Sequence, residues 1–141
     1  MQNWQAVKFL LKKLEKKIEL SKLKQLPYQK PEFKNGILYG NIPILDINYG
    51  NVWTNIHRQT AENLNLKKGN KYNVVISNKD KQITINNIVY SNTFGDIKQG
   101  KPVLYFNSLD YLAIALNSGN LAKQKGIGYG EKWRIEIKNS H

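Results

Sequence analysis

The sequence predicts a mostly β domain preceded by an amphipathic helix. After residue 36, short apolar runs alternate with Gly, Asn and Pro turns, a pattern that favours a barrel or a sandwich. The 141 residues fit one domain, and 40% of them are hydrophobic, which is enough for one core. The absence of cysteine excludes disulfides, thiolate metal ligands and a cysteine nucleophile.

Residues 1–30 predict an amphipathic helix and a linker. Eight lysines and two glutamates give this segment a net charge of +6, and its apolar residues recur at helical spacing. We expect a helix over residues 4–20 that docks on its own domain. A membrane-surface helix is the alternative, which Trp4 and Phe9 keep open. Pro27, Pro31 and the pair Asn35-Gly36 mark residues 27–36 as the linker.

The strands are predicted from apolar runs bounded by turn residues. Residues 36–47 contain Pro43, which suggests an edge strand or a bulge. Residues 72–77 and 82–90 form a hairpin through an Asn-Lys-Asp-Lys turn. The remaining strand candidates are residues 101–107 and 132–138.

Two segments predict short helices instead. Residues 59–66 fit one or two helical turns before Gly69. Residues 111–125 fit a short helix, interrupted near Ser118 and Gly119.

The net charge and the small number of histidines limit the possible functions of the chain. The net charge of +12 suggests nucleic acid, but 20 of the 22 basic residues are Lys rather than Arg, which weakens that interpretation. His57 and the last residue, His141, are the only histidines, so we expect no histidine-built metal centre. We expect no cofactor either. No apolar run approaches the ~18 residues of a membrane span, and no signal peptide is visible, which predicts a cytoplasmic protein.

The stretch from Asp46 to Ile56 carries the strongest chemical signal. It places Asp46, Tyr49, Gly50 and Asn51 within six residues at a predicted strand end. An Asn side chain offers the donor and acceptor that read an adenine edge, and an aromatic ring offers a stacking surface. The same residues also suit a plain turn, so chemistry alone leaves both interpretations open.

A second stretch runs from Phe106 to Ala122. Ser108 or Asp110 is expected to cap the helix predicted after it, and a helix start attracts anions such as a carboxylate. No base accompanies Ser108 in the sequence, so a cap is favoured over a nucleophile.

Together these stretches resemble a known family. Residues 44–56 (Ile-x-Asp-x-x-Tyr-Gly-Asn-x-x-Thr-Asn-Ile) and 107–122 (Asn-Ser-x-x-Tyr-Leu-x-Ile-Ala-x-Asn-x-Gly-Asn-x-Ala) resemble the C-terminal domain of the S-adenosylmethionine hydroxide adenosyltransferases, a family that includes fluorinases and chlorinases. The resemblance covers residues 36–138 and implies a closed Greek-key-like β-barrel. The helix at 4–20 resembles the last helix of the family's N-terminal domain. We expect the rest of that domain to be absent from this chain.

The resemblance implies a division of roles at the ligand, S-adenosylmethionine or adenosine. Asp46 would meet the methionine ammonium, Tyr49 would pack on adenine and Asn51 would bind the adenine edge. Ser108 would hold the methionine carboxylate. The backbone around Ser118 would complete the adenine pocket, to which Phe94 is a further, loosely matched candidate.

Departures from the family pattern qualify these expectations. Halogenating members carry Arg where this chain has Leu109 and Leu116, which disfavours a halogenase. Asp110 replaces a common glycine, and its charge would weaken a nearby carboxylate site. The family's water-activating groups belong to the N-terminal domain, so we expect no turnover by this chain alone. His57 does not match them and is expected in a turn or at the surface.

The leading prediction is therefore the adenine- and methionine-recognising half of an S-adenosylmethionine hydrolase. In the full protein the family resemblance implies a trimer whose ligand lies between subunits. One alternative is a small basic barrel that binds single-stranded nucleic acid. The other is a purely structural trimerisation domain that has lost its ligand.

Overall fold

The computed structural model describes residues 30–46, 48–93, 95 and 97–140. The helix predicted over residues 4–20 lies outside these residues. In the described part of the chain, nine strands form one mixed sheet, accompanied by two short α-helices. No helix in these ranges is both long enough and apolar enough to cross a membrane.

The elements follow one another in a simple order. The helices are α1 (Arg58–Ala61) and α2 (Leu121–Lys125), and a 3-10 turn (Glu62–Leu64) follows α1. The strands are β1 (Glu32–Lys34), β2 (Ile37–Ile42), β3 (Ile44–Leu45), β4 (Val52–His57), β5 (Lys71–Ser77), β6 (Gln82–Tyr90), β7 (Pro102–Phe106), β8 (Tyr111–Leu116) and β9 (Gly130–Asn139).

The sheet is open, so the predicted closed barrel is wrong. The strand order is β1-β2-β9-β5-β6-β7-β8-β4-β3, and in the described residues the edge strands β1 and β3 do not pair with each other. All neighbours are antiparallel except β6 and β7, which run parallel. The Greek-key arrangement stays a prediction.

Strands β2 and β4 contact each other through side chains. The backbone amide of Asn41 donates a hydrogen bond to the side-chain oxygen of Asn55 at 2.7 Å. Gly40 lies so close to Ile56 that an added Cβ would come within 2.6 Å of its Cγ1. In the described part of the chain no ladder of backbone hydrogen bonds joins β2 and β4, because they are not neighbours in the strand order.

The sheet buries side chains on both of its faces along β7, β8 and β4, toward its β3 edge. The first face carries the larger core, which includes Leu38, Ile56, Leu112 and Ile114. The second face carries a smaller buried cluster of Trp53, Ile97, Val103, Tyr105, Ala113 and Ala115. Strands β4, β7 and β8 contribute to both clusters, since successive side chains point to opposite faces.

Burial on both faces explains why one predicted helix is a strand. Residues Tyr111–Leu116 form strand β8 rather than the first part of a helix over 111–125. Its four central residues are all buried, and a short continuous apolar run fits a two-sided strand as well as a helix. Only Leu121–Lys125 is helical, after the turn at Ser118 and Gly119.

Other local predictions are confirmed. Strands β5 and β6 form the predicted hairpin, and Asn78 closes its turn by accepting from the Asp80 amide at 2.8 Å. The helical turns predicted over 59–66 correspond to α1 and the 3-10 turn. The pair Asn35-Gly36, expected in a linker, instead forms the turn between β1 and β2.

Candidate functional site

Asp46 and Asn51 face each other at the end of the β3–β4 hairpin. The register places Leu45 opposite Val52, and the Asp46 amide donates to the Asn51 carbonyl at 2.9 Å. The two side chains that the sequence singled out are therefore neighbours across the ladder.

One oxygen of Asp46 closes the turn that follows it. Its Oδ1 atom accepts from the amides of Asn48 at 3.0 Å and Tyr49 at 3.4 Å. The Oδ2 atom takes no part in these bonds. The turn thus fixes the carboxylate through this oxygen.

Tyr49 lies at the tip of this turn. Its side chain is 45% exposed, which makes it one of the few large exposed rings of the described chain. Its role as a stacking surface for adenine stays a prediction.

The loop is anchored to helix α2 through Gly50. The Ala122 amide donates to the Gly50 carbonyl at 3.0 Å, and Gly50 packs directly against the side chain of Asn120. Asn120 also caps α2 by accepting from the Lys123 amide at 2.9 Å. Gly50 has a φ of +70°, which glycine adopts without strain. This anchor brings the 46–51 loop to the turn that contains Ser118.

Ser118 itself is exposed and has a φ of +62°. The neighbouring Asn117 is tied back to the chain, since its Nδ2 atom donates to the Ile97 carbonyl at 2.6 Å. The backbone around Ser118 therefore borders the same end of the sheet as the Asp46 loop. Phe94 lies outside the described residues.

Below the loop, Trp53 and Tyr105 lie on the second face of the sheet. Both side chains are 7% exposed, and both residues pair with Ala113, one from each side. Ile44 pairs with Trp53 and continues this row to the edge strand. Asn51 precedes Trp53 by two residues, so the alternation of a strand gives both side chains the same face.

The Tyr105 hydroxyl lies among the polar side chains of the loop. Burial raises the pKa of Tyr105 well above its usual range, and the nearby Asp46 carboxylate raises it further. The Trp53 indole and the Asn51 amide, which face the hydroxyl, lower this pKa in part. The Trp53 Nε1 atom is buried and completes no hydrogen bond of standard geometry in the described chain.

Ser108 belongs to a different structure from the one predicted. It lies in the tight turn of the β7–β8 hairpin, where Asn107 Oδ1 accepts from the amides of Leu109 at 3.0 Å and Tyr111 at 3.1 Å. No helix begins at this turn, so the predicted cap role of Ser108 or Asp110 is wrong. The Ser108 hydroxyl is buried, and it has no hydrogen-bond partner among the described residues.

Asp110 is paired within the chain. Its Oδ1 atom accepts from Arg58 Nη2 at 3.0 Å and from Nε at 3.1 Å, and the guanidinium lies 4.0 Å from the centre of the Phe106 ring. Arg58 therefore offsets the negative charge that Asp110 places near Ser108. The preceding His57 is the last residue of β4 and caps α1 by accepting from the Gln59 amide at 3.3 Å, so it lies half-buried at a strand–helix junction rather than in a turn.

Two residues of this region, Trp53 and Tyr105, are not predicted from the sequence. Trp53 lies within the stretch from Asp46 to Ile56, and its spacing of two from Asn51 was the available signal. Tyr105 reaches the loop from β7, a strand distant in sequence, and the sequence carries no local sign of this contact.

Comparison with known proteins agrees with the motifs. Residues 40–134 match the family model described as the SAM hydroxide adenosyltransferase C-terminal domain. The chain is 30% identical over 132 residues to a fluorinase of Actinopolyspora mzabensis, covering 92% of this chain and 43% of that protein. It is 28% identical to a fluorinase of Nocardia brasiliensis, covering 94% of this chain and 43% of that protein.

A solved structure shares the fold. An uncharacterized conserved protein from Thermotoga maritima superposes with a TM-score of 0.66 at 26% identity, covering 81% of this chain and 40% of that one. The chain therefore spans less than half the length of the curated relatives and of the solved structure that it matches.

Proposed function

The chain belongs to the SAM hydroxide adenosyltransferase family through its C-terminal domain, and we propose that it supplies the adenine- and methionine-recognising half of an S-adenosylmethionine hydrolase. The full enzyme would convert S-adenosylmethionine and water to adenosine and methionine. The missing half would come from an N-terminal domain, and the ligand would lie between subunits of a trimer.

The juxtaposition of Asp46 and Asn51 carries this proposal. A carboxylate suits the methionine ammonium, and an amide suits the purine edge. The two side chains are cross-strand neighbours on a loop fixed by its own hydrogen bonds and by Asn120. A rigid loop lowers the ordering cost of binding, so this arrangement supports recognition. Tyr49, exposed at the tip, would pack on adenine, and the backbone near Ser118 would border the same pocket.

Ser108 is proposed to receive the methionine carboxylate. Its buried, unpaired hydroxyl supports this role, since a buried polar atom without a partner is costly unless something else satisfies it. The ion pair between Asp110 and Arg58 weakens the electrostatic objection to a carboxylate at this position.

Water is the proposed nucleophile rather than a halide. The halogenating members of the family carry Arg at the positions of Leu109 and Leu116, and both leucines here are partly buried in the β7–β8 region. An apolar side chain cannot replace a guanidinium that binds an anion.

We further propose that the isolated chain binds without turning over its ligand. The described residues near Asp46 and Asn51 supply groups for binding, and the motifs contain no evident base for water. Steady release of adenosine from S-adenosylmethionine by the purified chain would contradict this part of the proposal.

Calorimetric titration with adenosine and S-adenosylmethionine tests the binding role. We expect weak binding that changes little between about 50 and about 300 mM salt, because the nucleoside carries no phosphates. Asn51→Ala should weaken adenosine binding by about 10-fold, the effect of one well-made hydrogen bond. Asn63→Ala is the matched control, because that exposed side chain bonds only locally to the Thr60 carbonyl.

Two results would contradict the proposal. Salt-sensitive binding to an oligonucleotide, with no binding of adenosine, would support the basic nucleic-acid domain instead. A trimer that binds none of these ligands, and that Asp46→Ala leaves unchanged, would indicate a purely structural domain.

A further inference from the structure

We propose that Arg58 is a positioning residue that lets the Ser108 turn accept a ligand carboxylate, and that it does so by holding the side chain of Asp110. The Ser108 turn is the segment 107–110 between β7 and β8. The inference deepens the proposed function, on which its ligand-binding part rests. Its structural part concerns the turn alone and is testable without any ligand.

The turn places an acidic side chain close to Ser108. Asp110 follows Ser108 by two residues, and its amide closes the turn by donating to the Asn107 carbonyl at 3.0 Å. Asp110 has a φ of +65°, which suits glycine and which Asp tolerates better than most residues with a Cβ. The turn thus carries a carboxylate that would repel the carboxylate of a ligand.

Arg58 holds Asp110 through both the backbone and the side chain. The Arg58 amide donates to the Asp110 carbonyl at 2.8 Å. Its Nε and Nη2 atoms donate to Asp110 Oδ1 at 3.1 and 3.0 Å. These three bonds from one residue fix the position of the carboxylate and place a positive charge directly on it.

The guanidinium of Arg58 is itself held by an aromatic ring. It lies 4.0 Å from the centre of the Phe106 ring, and Tyr90 packs edge-on against that ring with the two centres 6.0 Å apart. Stacking on the ring and the fork onto Asp110 both use the planar guanidinium, which lysine does not have. The arginine is therefore preorganised for its contact with Asp110.

The exposure of the pair points to a local role rather than to a large contribution to stability. The side chains of Arg58 and Asp110 are 42% and 53% exposed, and exposed ion pairs contribute little to folding. Removal of Arg58 would leave the Asp110 charge uncompensated beside Ser108. Because Asp110 creates the need for Arg58, the two residues should act as one unit.

Two ligands that differ in the carboxylate test this role. S-adenosylmethionine and its decarboxylated analogue share the adenosine, the sulfonium and the ammonium. The ratio of their affinities, measured by calorimetry, therefore isolates the group that Ser108 would receive. Effects of a variant on the shared positive groups act on both ligands and cancel in the ratio.

Arg134→Ala is the matched control for Arg58→Ala. Arg134 is the other arginine of the sequence, and it is exposed on β9. Both variants lower the net charge equally, so only a local effect can separate them.

We expect Arg58→Ala to lower the preference for S-adenosylmethionine by about 3- to 10-fold, the effect of one uncompensated like charge at short range in a partly solvated site. Arg134→Ala should leave the preference unchanged. A rise in salt from about 50 to about 300 mM should restore part of the loss in Arg58→Ala, because salt screens a half-exposed charge. Equal losses in the two arginine variants would overturn the inference.

Asp110→Gly provides the second test, because it removes the charge and suits the left-handed backbone. In this background Arg58→Ala should leave the affinity ratio unchanged, since no charge remains to be compensated. A full loss in the Asp110→Gly background would overturn the inference, because Arg58 would then act without Asp110.

The ligand-free readout uses the nitrogen-15-labelled chain. The amides of Leu109 and Tyr111 donate to Asn107 Oδ1 within the turn, so their signals report its geometry. We expect Arg58→Ala to shift both signals and Arg134→Ala to leave them unchanged. Unchanged signals in Arg58→Ala would overturn the structural part of the inference.

The two proposals can fail separately. If the turn signals respond as expected but the wild-type chain does not prefer S-adenosylmethionine to its decarboxylated analogue, the contact between Arg58 and Asp110 stands and the proposed carboxylate site fails. If the wild-type chain shows the preference and Arg58→Ala does not alter it, the proposed function stands and the positioning role fails.

Discussion

Gly50→Ala tests whether the loop that carries Asp46 and Asn51 is held by helix α2. Gly50 has a φ of +70°, and a Cβ built on it would overlap the side-chain amide of Asn120. That amide already caps α2 at the Lys123 amide. The substitution therefore strains the backbone and displaces a helix cap at the same time.

The cost follows from two contributions. A residue with a Cβ in the left-handed region costs about 1–2 kcal/mol relative to glycine. Displacement of an Asn cap costs about 0.5–2 kcal/mol. We therefore expect Gly50→Ala to lower the free energy of unfolding by about 1.5–4 kcal/mol, since the two contributions act on separate groups.

Gly69→Ala is the control for the backbone contribution alone. Gly69 has a φ of +88°, and an added Cβ would meet nothing within 4 Å. Urea unfolding of both variants should give about 1–2 kcal/mol for Gly69→Ala and a clearly larger loss for Gly50→Ala. In an Asn120→Ala background, which removes the overlapping amide, Gly50→Ala should cost no more than the control.

Equal losses for the two glycine variants would refute this reasoning. They would mean that the contact with Asn120 does not hold the loop. A cost for Gly50→Ala that persists undiminished in the Asn120→Ala background would refute it equally. Either result would weaken the view that the loop is preorganised for a ligand.

Three further predictions concern residues around the site. Thr54→Val should destabilise the chain by about 1–2 kcal/mol in urea unfolding, because the buried hydroxyl donates to the Leu112 carbonyl at 2.7 Å. Asp110→Asn should cost no more than about 1 kcal/mol in the same assay, since both partners of its ion pair with Arg58 are about half exposed. Burial raises the pKa of Tyr105, so the unfolded chain ionises first above pH about 10, and stability should fall there more steeply in the wild type than in Tyr105→Phe.

The sequence predicted the elements whose signals are local. The β5–β6 hairpin followed from two apolar runs around an Asn-Lys-Asp-Lys turn, and the structure closes that turn through Asn78. The helix predicted over Tyr111–Leu116 was wrong, because an apolar run buried on both faces shows neither the helical nor the strand period. The closed barrel was wrong because closure depends on whether the distant strands β2 and β4 pair, and the Asn55 side chain intervenes there.

For the candidate site, the sequence by itself determined which loop carries Asp46, Tyr49 and Asn51, because those residues are adjacent along the chain and their chemistry is explicit. Only the tertiary structure decided that Ser108 lies in a hairpin turn, that Asn120 holds Gly50, and that Tyr105 and Trp53 flank Ala113 on one face of the sheet. The physical reason is that these contacts join strands far apart in sequence, whose register is set by burial on both faces of the sheet.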